Sequence, residues 1–248
     1  MPTTTGMKGG GYYDANSREQ RSASQAFLPW LETAVAELPE PSPHQQSWNL
    51  LDIGSSEGAN AISTTEQLIT WLRKKSELPV WAFFDDLPTN DFNQMFLNLF
   101  PAGKPVITAN DIYTAAIGGS AFERLVPPAS LHVATTFNAI GFFETRPAAS
   151  LPGFILPMLP NPRAPRAAEL VPGGKLLVQI FGRNETHSTG HGIIDVLSDA
   201  LLDFVEADLL PRSFYEEFLF PASYRNTAEL IAPIENEPDL TAAFRVDQ

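Results

Sequence analysis

The stretch Asp52-Ile-Gly54-Ser-Ser-Glu-Gly58 joins a short apolar run, Trp48 to Ile53, to a helical pattern that begins at Ala59. Glycines at such a junction let the backbone pass close to a ligand, and the helix start beyond it offers free N–H groups. The spacing departs from G-x-G-x-x-G, which disfavours a pyrophosphate against a nucleoside carrying a short amino-acid tail. A purely structural turn has the same composition. The same residues also fit G-x-S-x-G, with Ser56 in the place of a hydrolase nucleophile and His187 or His191 as a base, although no HGGG-type oxyanion segment precedes them.

A second acidic site, Asp85-Asp86, closes the apolar run Val80 to Phe84. In doubly wound folds a carboxylate at the end of the second strand accepts hydrogen bonds from ribose hydroxyls, and Asp86 stands at that place. It comes later than the usual ~20 residues because the helix between is long. The alternative is that Asp85 and Asp86 merely cap a helix starting near Asn90 or Asp91. Taken together, Asp52 and Asp86 predict two strand-end carboxylates that grip one adenosyl compound. His187 and His191 are four residues apart, but Ser188-Thr-Gly190 between them is poor helix and no acidic third ligand lies alongside, so no metal is expected. His132, in an apolar strand, reads as a satisfied core histidine.

These residues need a scaffold that alternates strands with helices. Ser24 to Leu38 has helical spacing, with Pro29 marking a helix start or kink, and Pro39 to Pro43 stops it. Trp48–Ile53, Val80–Phe84, Ser130–Phe137 and Lys175–Phe181 read as strands, the last introduced by a turn at Pro172-Gly173-Gly174. Ala59–Lys74, Asp91–Phe100, Ile193–Leu209 and Thr227–Ala232 read as helices, and Ala242–Val246 as a closing strand. The order implies an α/β fold with a mostly parallel, doubly wound sheet.

The whole chain, 1–248, is expected to form a single domain, since its 248 residues, 44% of them hydrophobic, suffice for one large core. A formal charge of -13 without a basic cluster excludes nucleic acid as a partner. With no cysteine there is neither a disulfide nor a thiolate site. The start, MPTTTGMKGGGYYDANS, lacks a signal-peptide pattern, and no run approaches the roughly 18 apolar residues of a membrane span, so a soluble, cytoplasmic protein is expected. Many of the 22 prolines fall between Pro147 and Pro172, which predicts a surface excursion.

Four segments resemble one family. Met7-Lys-Gly-Gly with Tyr13, Asn16-Ser17 and Gln20 is similar to the opening of the SABATH methyltransferases, in which a glycine pair precedes Tyr, Asn-Ser and Gln. LLDIGSSEGAN (50–60) looks like that family's cofactor loop, and FFDDLPTNDFNQMF (83–96) is very close to its Asp-Leu-Pro-x-Asn-Asp-Phe-Asn segment. Gly119-Ser120 with Arg124-Leu125, then SLH at 130–132, resembles the adenine-side loop and the strand after it. Weaker similarity runs through RAAELVPGGKLLV, so the resemblance covers most of the chain.

The resemblance implies a Rossmann-like class I methyltransferase fold with a helical cap, whose substrate-covering segments would be 1–25 and 142–170. It implies S-adenosyl-methionine as cofactor, surrounded by Tyr13, Ser17, Asp52, Gly54, Ser55, Asn60, Asp86, Leu87, Ser120 and Ala121. Asp52 and Asn60 would lie near the amino-acid tail, Asp86 on the ribose and Leu87 against adenine, while Ala121 stands where an aromatic often covers the base. Gln20 matches the glutamine that hydrogen-bonds the substrate carboxylate. Phe142 takes the place of a tryptophan that donates a second bond, and Asn138 and Gly141 replace larger pocket residues. The implied activity is in-line methylation of a small carboxylic acid, with catalytic roles at Gln20 and Phe142. N-methylation of a nitrogen heterocycle and a non-catalytic cofactor-binding remnant are the alternatives. Family members continue past the point matching Phe244-Arg-Val246 with a helix and a strand, so the sheet is expected to lack its final hairpin. A homodimer is also implied.

Overall fold

The computed structural model describes residues 8–141, 163–188, 193–218 and 224–247. They fall into two compact units, one made of residues 8–140 and 163–179, the other of Gly141 and residues 180–247. Among the described residues no helix is long and apolar enough to cross a membrane.

The first unit is built on a five-stranded, fully parallel sheet. Its strands are β1 (Trp48–Ile53), β2 (Val80–Asp86), β3 (Ile112–Gly118), β4 (Leu131–Phe137) and β5 (Leu170–Gln179), in the order β3-β2-β1-β4-β5. The order reverses between β1 and β4, and in open parallel sheets ligands bind beyond the strands' carboxyl ends at such a switch point. Helices α1 (Tyr12–Asn16) and α2 (Arg18–Ala36) precede the sheet. Helix α3 (Ala59–Leu72) joins β1 to β2, α4 (Phe92–Leu99) follows β2, and α5 (Arg163–Glu169) leads into β5.

Residues alternate between the faces of a strand, so the ladder register decides which side chains meet. Asp52 is opposite Phe84 on one side and Thr135 on the other, and Asp86 lies two residues beyond Phe84. Asp52, Thr135 and Asp86 therefore share one face, whereas Asp85, opposite Ile53, turns to the other. The first face also carries Trp48, Leu50, Val80, Ala82, Phe84, Val133 and Leu177 into one core with Leu31 and Val35 of α2, Ile62, Leu68, Ile69 and Leu72 of α3, and Met95 and Leu99 of α4. In α3 the buried positions Ala61, Thr65, Leu68, Ile69 and Leu72 recur at the three-to-four-residue spacing of a single helix stripe.

Four elements depart from expectation. Helix α2 begins at Arg18 and runs through Pro29, which is exposed, so Gln20 lies on a helix rather than ahead of one. Pro172-Gly173-Gly174 lies inside β5: the register jumps from Leu131 opposite Leu170 to Val133 opposite Lys175, so the extra residues are a bulge and not a strand-initiating turn. Strand β3 had no counterpart in the sequence pattern, because Ile112-Tyr-Thr-Ala-Ala-Ile-Gly118 is a half-buried edge strand with small residues and little apolar alternation. Ala242–Val246 is not a strand. Pro238 at the first turn starts a helix, Pro238–Ala243, and Thr241 Oγ1 donates to the carbonyl of Ile234 at 2.6 Å, which leaves only irregular chain beyond.

The second unit contains α6 (Ile193–Glu206), α7 (Arg212–Glu217), α8 (Thr227–Asn236) and α9 (Pro238–Ala243). Helix α8 starts with a capping box between Asn226 and Glu229.

Candidate functional site

Asp52 ends its strand buried, with Oδ1 accepting from Thr135 Oγ1 at 2.8 Å and Oδ2 accepting from Ser55 Oγ at 2.9 Å. Burial pushes its carboxyl up to about 6; the Thr135 and Ser55 hydroxyls pull the other way, and Asp86 adds a smaller like-charge push. The next residue but one, Gly54, has φ of 79°, and a Cβ there would collide with Cβ of Ala139, so the turn admits only glycine. Its N–H and that of Ser55 both donate to the Asp85 carbonyl, at 2.9 and 2.8 Å, fixing the turn to the end of β2.

Asp86 closes the same turn from the β2 side. Its Oδ2 accepts from the Ser56 N–H at 2.6 Å and its Oδ1 from the Leu87 N–H at 2.7 Å. Desolvation raises its carboxyl, and those two bonds restrain the shift. Helix α4 is capped by Asp91, whose side chain accepts from the Gln94 N–H, so Asp86 is not a helix cap. Among the described residues each carboxylate oxygen of Asp52 and Asp86 accepts from one donor side chain or N–H named above, and a carboxylate offers about four lone-pair sites. The pair thus retains acceptor capacity for a cation or for hydroxyls.

The residues 8–20 lie over this edge. Asn60 Nδ2 donates to Ser17 Oγ at 3.1 Å, and its Oδ1 accepts from Arg21 Nε at 3.0 Å. Burial raises the Tyr13 hydroxyl, followed by the charges of Asp14, Asp52 and Asp86. One phenol thus senses both strand-end carboxylates. Gln20 is half-buried on α2, and its Oε1 is buried without a partner among the described residues. Phe27 of α2 meets Phe137 edge-on at 5.9 Å, and Gln179 Nε2 donates to the Ala23 carbonyl at 3.2 Å, which holds this part of α2 against the carboxyl ends of β4 and β5.

On the β3 side, Gly119 donates to the Asp86 carbonyl at 3.0 Å and Ser120 Oγ accepts from the Phe122 N–H at 3.2 Å. Ala121 lines a small cavity with Ile53, Thr136 and Ile140. Arg166 and Glu169 form a buried ion pair at 2.6 Å, and Glu169 Oε1 accepts from the N–H groups of Leu125 and Val126, anchoring the far end of the Ser120 loop. Asn138 leaves β4 with φ of 63° and donates its N–H to the Gln179 carbonyl. Gly141 belongs to the second unit, where a Cβ would touch Phe181 at 3.4 Å. Phe142 and His191 lie outside the described residues.

The structure therefore brings Tyr13, Ser17, Asp52, Gly54, Ser55, Asn60, Asp86 and Leu87 to one sheet edge, with Ser120 tied to it through Gly119. Ser56 has the left-handed φ of 52°, but its Oγ is buried without a hydrogen-bond partner among the described residues, so no described base activates it as a nucleophile. His132 is a core residue: its Nδ1 accepts from the Asn49 N–H at 3.1 Å, and burial lowers its pKa. Sequence reasoning missed Thr135, which completes the Asp52 shell, and Glu57, whose acidic side chain inside an otherwise uncharged glycine turn was the available signal.

Two buried carboxylates with spare acceptors beside a glycine turn suit a ligand bearing an ammonium and vicinal hydroxyls, and S-adenosyl-methionine has both. A family model described as SAM dependent carboxyl methyltransferase matches residues 3–151. The O-methyltransferase acrG of Aspergillus aculeatus is 27% identical over 98% of this chain and 70% of its own length. Gibberellic acid methyltransferase 1 of Arabidopsis thaliana is 24% identical over 89% of this chain and 68% of its own. The solved structure of a loganic acid methyltransferase with SAH shares the fold, with a TM-score of 0.76 at 19% identity over 94% of this chain and 75% of that one. The model's match extends over more than half of the residues and takes in both strand-end carboxylates, the glycine turn and the Tyr13 arm, and the chain accordingly belongs to the S-adenosyl-methionine-dependent carboxyl methyltransferase family.

Proposed function

We propose that the chain forms methyl esters of a small carboxylic acid, using the edge defined by Asp52 and Asp86 for the cofactor and Gln20 for the acid. Bound S-adenosyl-methionine supplies a sulfonium methyl, to which a carboxylate oxygen bonds as the carbon–sulfur bond breaks and sulfur takes the electron pair. Asp52, with Asn60 nearby, faces the amino-acid tail, Asp86 the ribose hydroxyls, and Leu87, Ser120 and Ala121 the adenine. Tyr13 and Ser17 close over the cofactor from the arm. Gly54 and Ser55 shape the turn, and Asn138 borders the acid.

The observation that carries this reading is that Asp52 and Asp86 stand on one face of the sheet at the carboxyl ends of neighbouring strands, flanking the glycine turn. No general base is needed, because a carboxylic acid is already ionised near pH 7. What the protein must supply is alignment, and holding two reactants in line is worth about 7 kcal/mol or more. Gln20 suits that role, since its amide can hold one carboxylate oxygen while the other faces the methyl.

The test is a panel of free acids, with nitrogen heterocycles alongside, incubated with methyl-labelled cofactor. We expect a methyl ester from at least one acid. Gln20→Ala is expected to lose turnover by about a hundredfold or more while keeping its affinity for S-adenosyl-homocysteine, the pattern of lost alignment without lost cofactor binding. Methylation confined to a heterocycle, or cofactor binding without any product, would overturn the ester reading.

A further inference from the structure

Glu57 is a fully buried carboxylate in the glycine turn, and none of its bonds is to Asp52 or Asp86. It reaches instead to the arm: Oε1 accepts from the Gly11 N–H at 2.7 Å and Oε2 from the Asp14 N–H at 3.2 Å. These are donors at the start of α1, which has no side-chain cap of its own. Neighbouring groups continue the attachment. Asp91 Oδ2 accepts from the Gly10 N–H at 3.0 Å, Asp14 Oδ1 from the Ala59 N–H at 3.3 Å, and Asn98 Nδ2 donates to both Asp14 Oδ2 at 2.5 Å and the Glu57 carbonyl at 2.8 Å.

Helix α1 has five residues, of which Tyr13 and Asp14 are half-buried and none is fully buried. A helix that short does not persist on its own propensity, and no fully buried apolar side chain holds it down. Its position over the sheet edge depends on these polar attachments, and Glu57 is the one that grips two successive parts of the arm from within the cofactor turn. Tyr13 lies between the two gripped residues.

We infer that Glu57 is a positioning residue for methyl transfer: by tying Gly11 and Asp14 to the glycine turn it sets Tyr13 over the cofactor, so that arm docking and cofactor binding are one coupled event. The inference rests on the cofactor site proposed above.

The test uses the full chain and the probe S-adenosyl-homocysteine. Glu57→Gln keeps the side chain's volume but replaces one acceptor oxygen with an NH2 that faces a backbone donor. Calorimetry should show affinity for the probe about tenfold weaker, the size expected for one charge-assisted bond. Amide exchange at residues 10–16 should be at least tenfold faster, with the β1 and β4 amides unchanged. In a double-mutant cycle with Tyr13→Ala the two losses should be strongly non-additive, which a merely structural role in the turn would not produce. Equal affinity in the wild type and a folded Glu57→Gln variant, or additive losses, would overturn the inference. Should the variant fail to fold, the wild type decides: amides at Gly11 and Asp14 that exchange no more slowly with the probe bound also overturn it. A wild type that does not bind the probe at all defeats the cofactor reading instead.

Discussion

Asp52 shows how one residue is tuned by what surrounds it. Burial raises its carboxyl to about 6, while Thr135 and Ser55 supply hydrogen bonds that favour the ionised form. If Asp52 faces a cationic tail, cofactor affinity should fall as pH drops through about 6, where the carboxyl becomes neutral; Asp52→Asn should be weaker by tenfold or more near pH 8, lack this dependence, and approach the wild type near pH 5, measured by calorimetry from pH 5 to 8. Asp85 behaves differently. Its Oδ1 is buried without a partner among the described residues, and burial, then Asp86, push it up to about 8 against the pull of Arg166. A folded-state value above the unfolded one means that its contribution is fully present below the ordinary carboxylate range and lost as pH rises toward 8. Asp85→Asn should therefore gain on the wild type by an amount on the order of a few kcal/mol between pH 5 and 8.5 in denaturant unfolding. At this scale Asp52, Asp86, Tyr13 and Asn60 were legible because their order follows a family pattern. Thr135 and Glu57 were not, since their partners lie 83 and 46 residues away in the chain.

Among the elements, the β1–α3 turn depends on a single missing side chain. Gly54→Ala would force an L residue to φ near 79° and drive its Cβ into Ala139. Strain of ~1–3 kcal/mol from the backbone alone is expected, with the collision added to it. Chemical denaturation should show a loss of about 2 kcal/mol or more, and Ala139→Gly in the same chain should restore the steric part but not the backbone part. Strand β1 and helix α3 were plain in the sequence because their apolar periods are strong. Strand β3 and the bulge in β5 were not: an edge strand needs little apolar alternation, and Pro172-Gly173-Gly174 looks like a turn until the register with β4 shows it inside a strand. The Ala242–Val246 segment had the composition of a strand but pairs with none among the described residues: its first two residues end the helix that Pro238 starts, and the rest is irregular.

For the molecule as a whole, alternating strand and helix patterns were enough to predict a parallel sheet, because parallel neighbours require crossovers. The division of the described residues into two units lay beyond such reasoning, since it depends on contacts between distant segments. The strand order has a further consequence during synthesis. β1 is the central strand, yet it gains β2 early and β4 only once residue 137 has been made. Until then the growing chain presents an apolar strand with one row of open backbone groups, the kind of edge on which nascent chains associate wrongly. A ribosome that pauses between α4 and β4 would prolong that exposure, so yield in expression should respond more to codon choice over residues 100–130 than to any comparable stretch after β5.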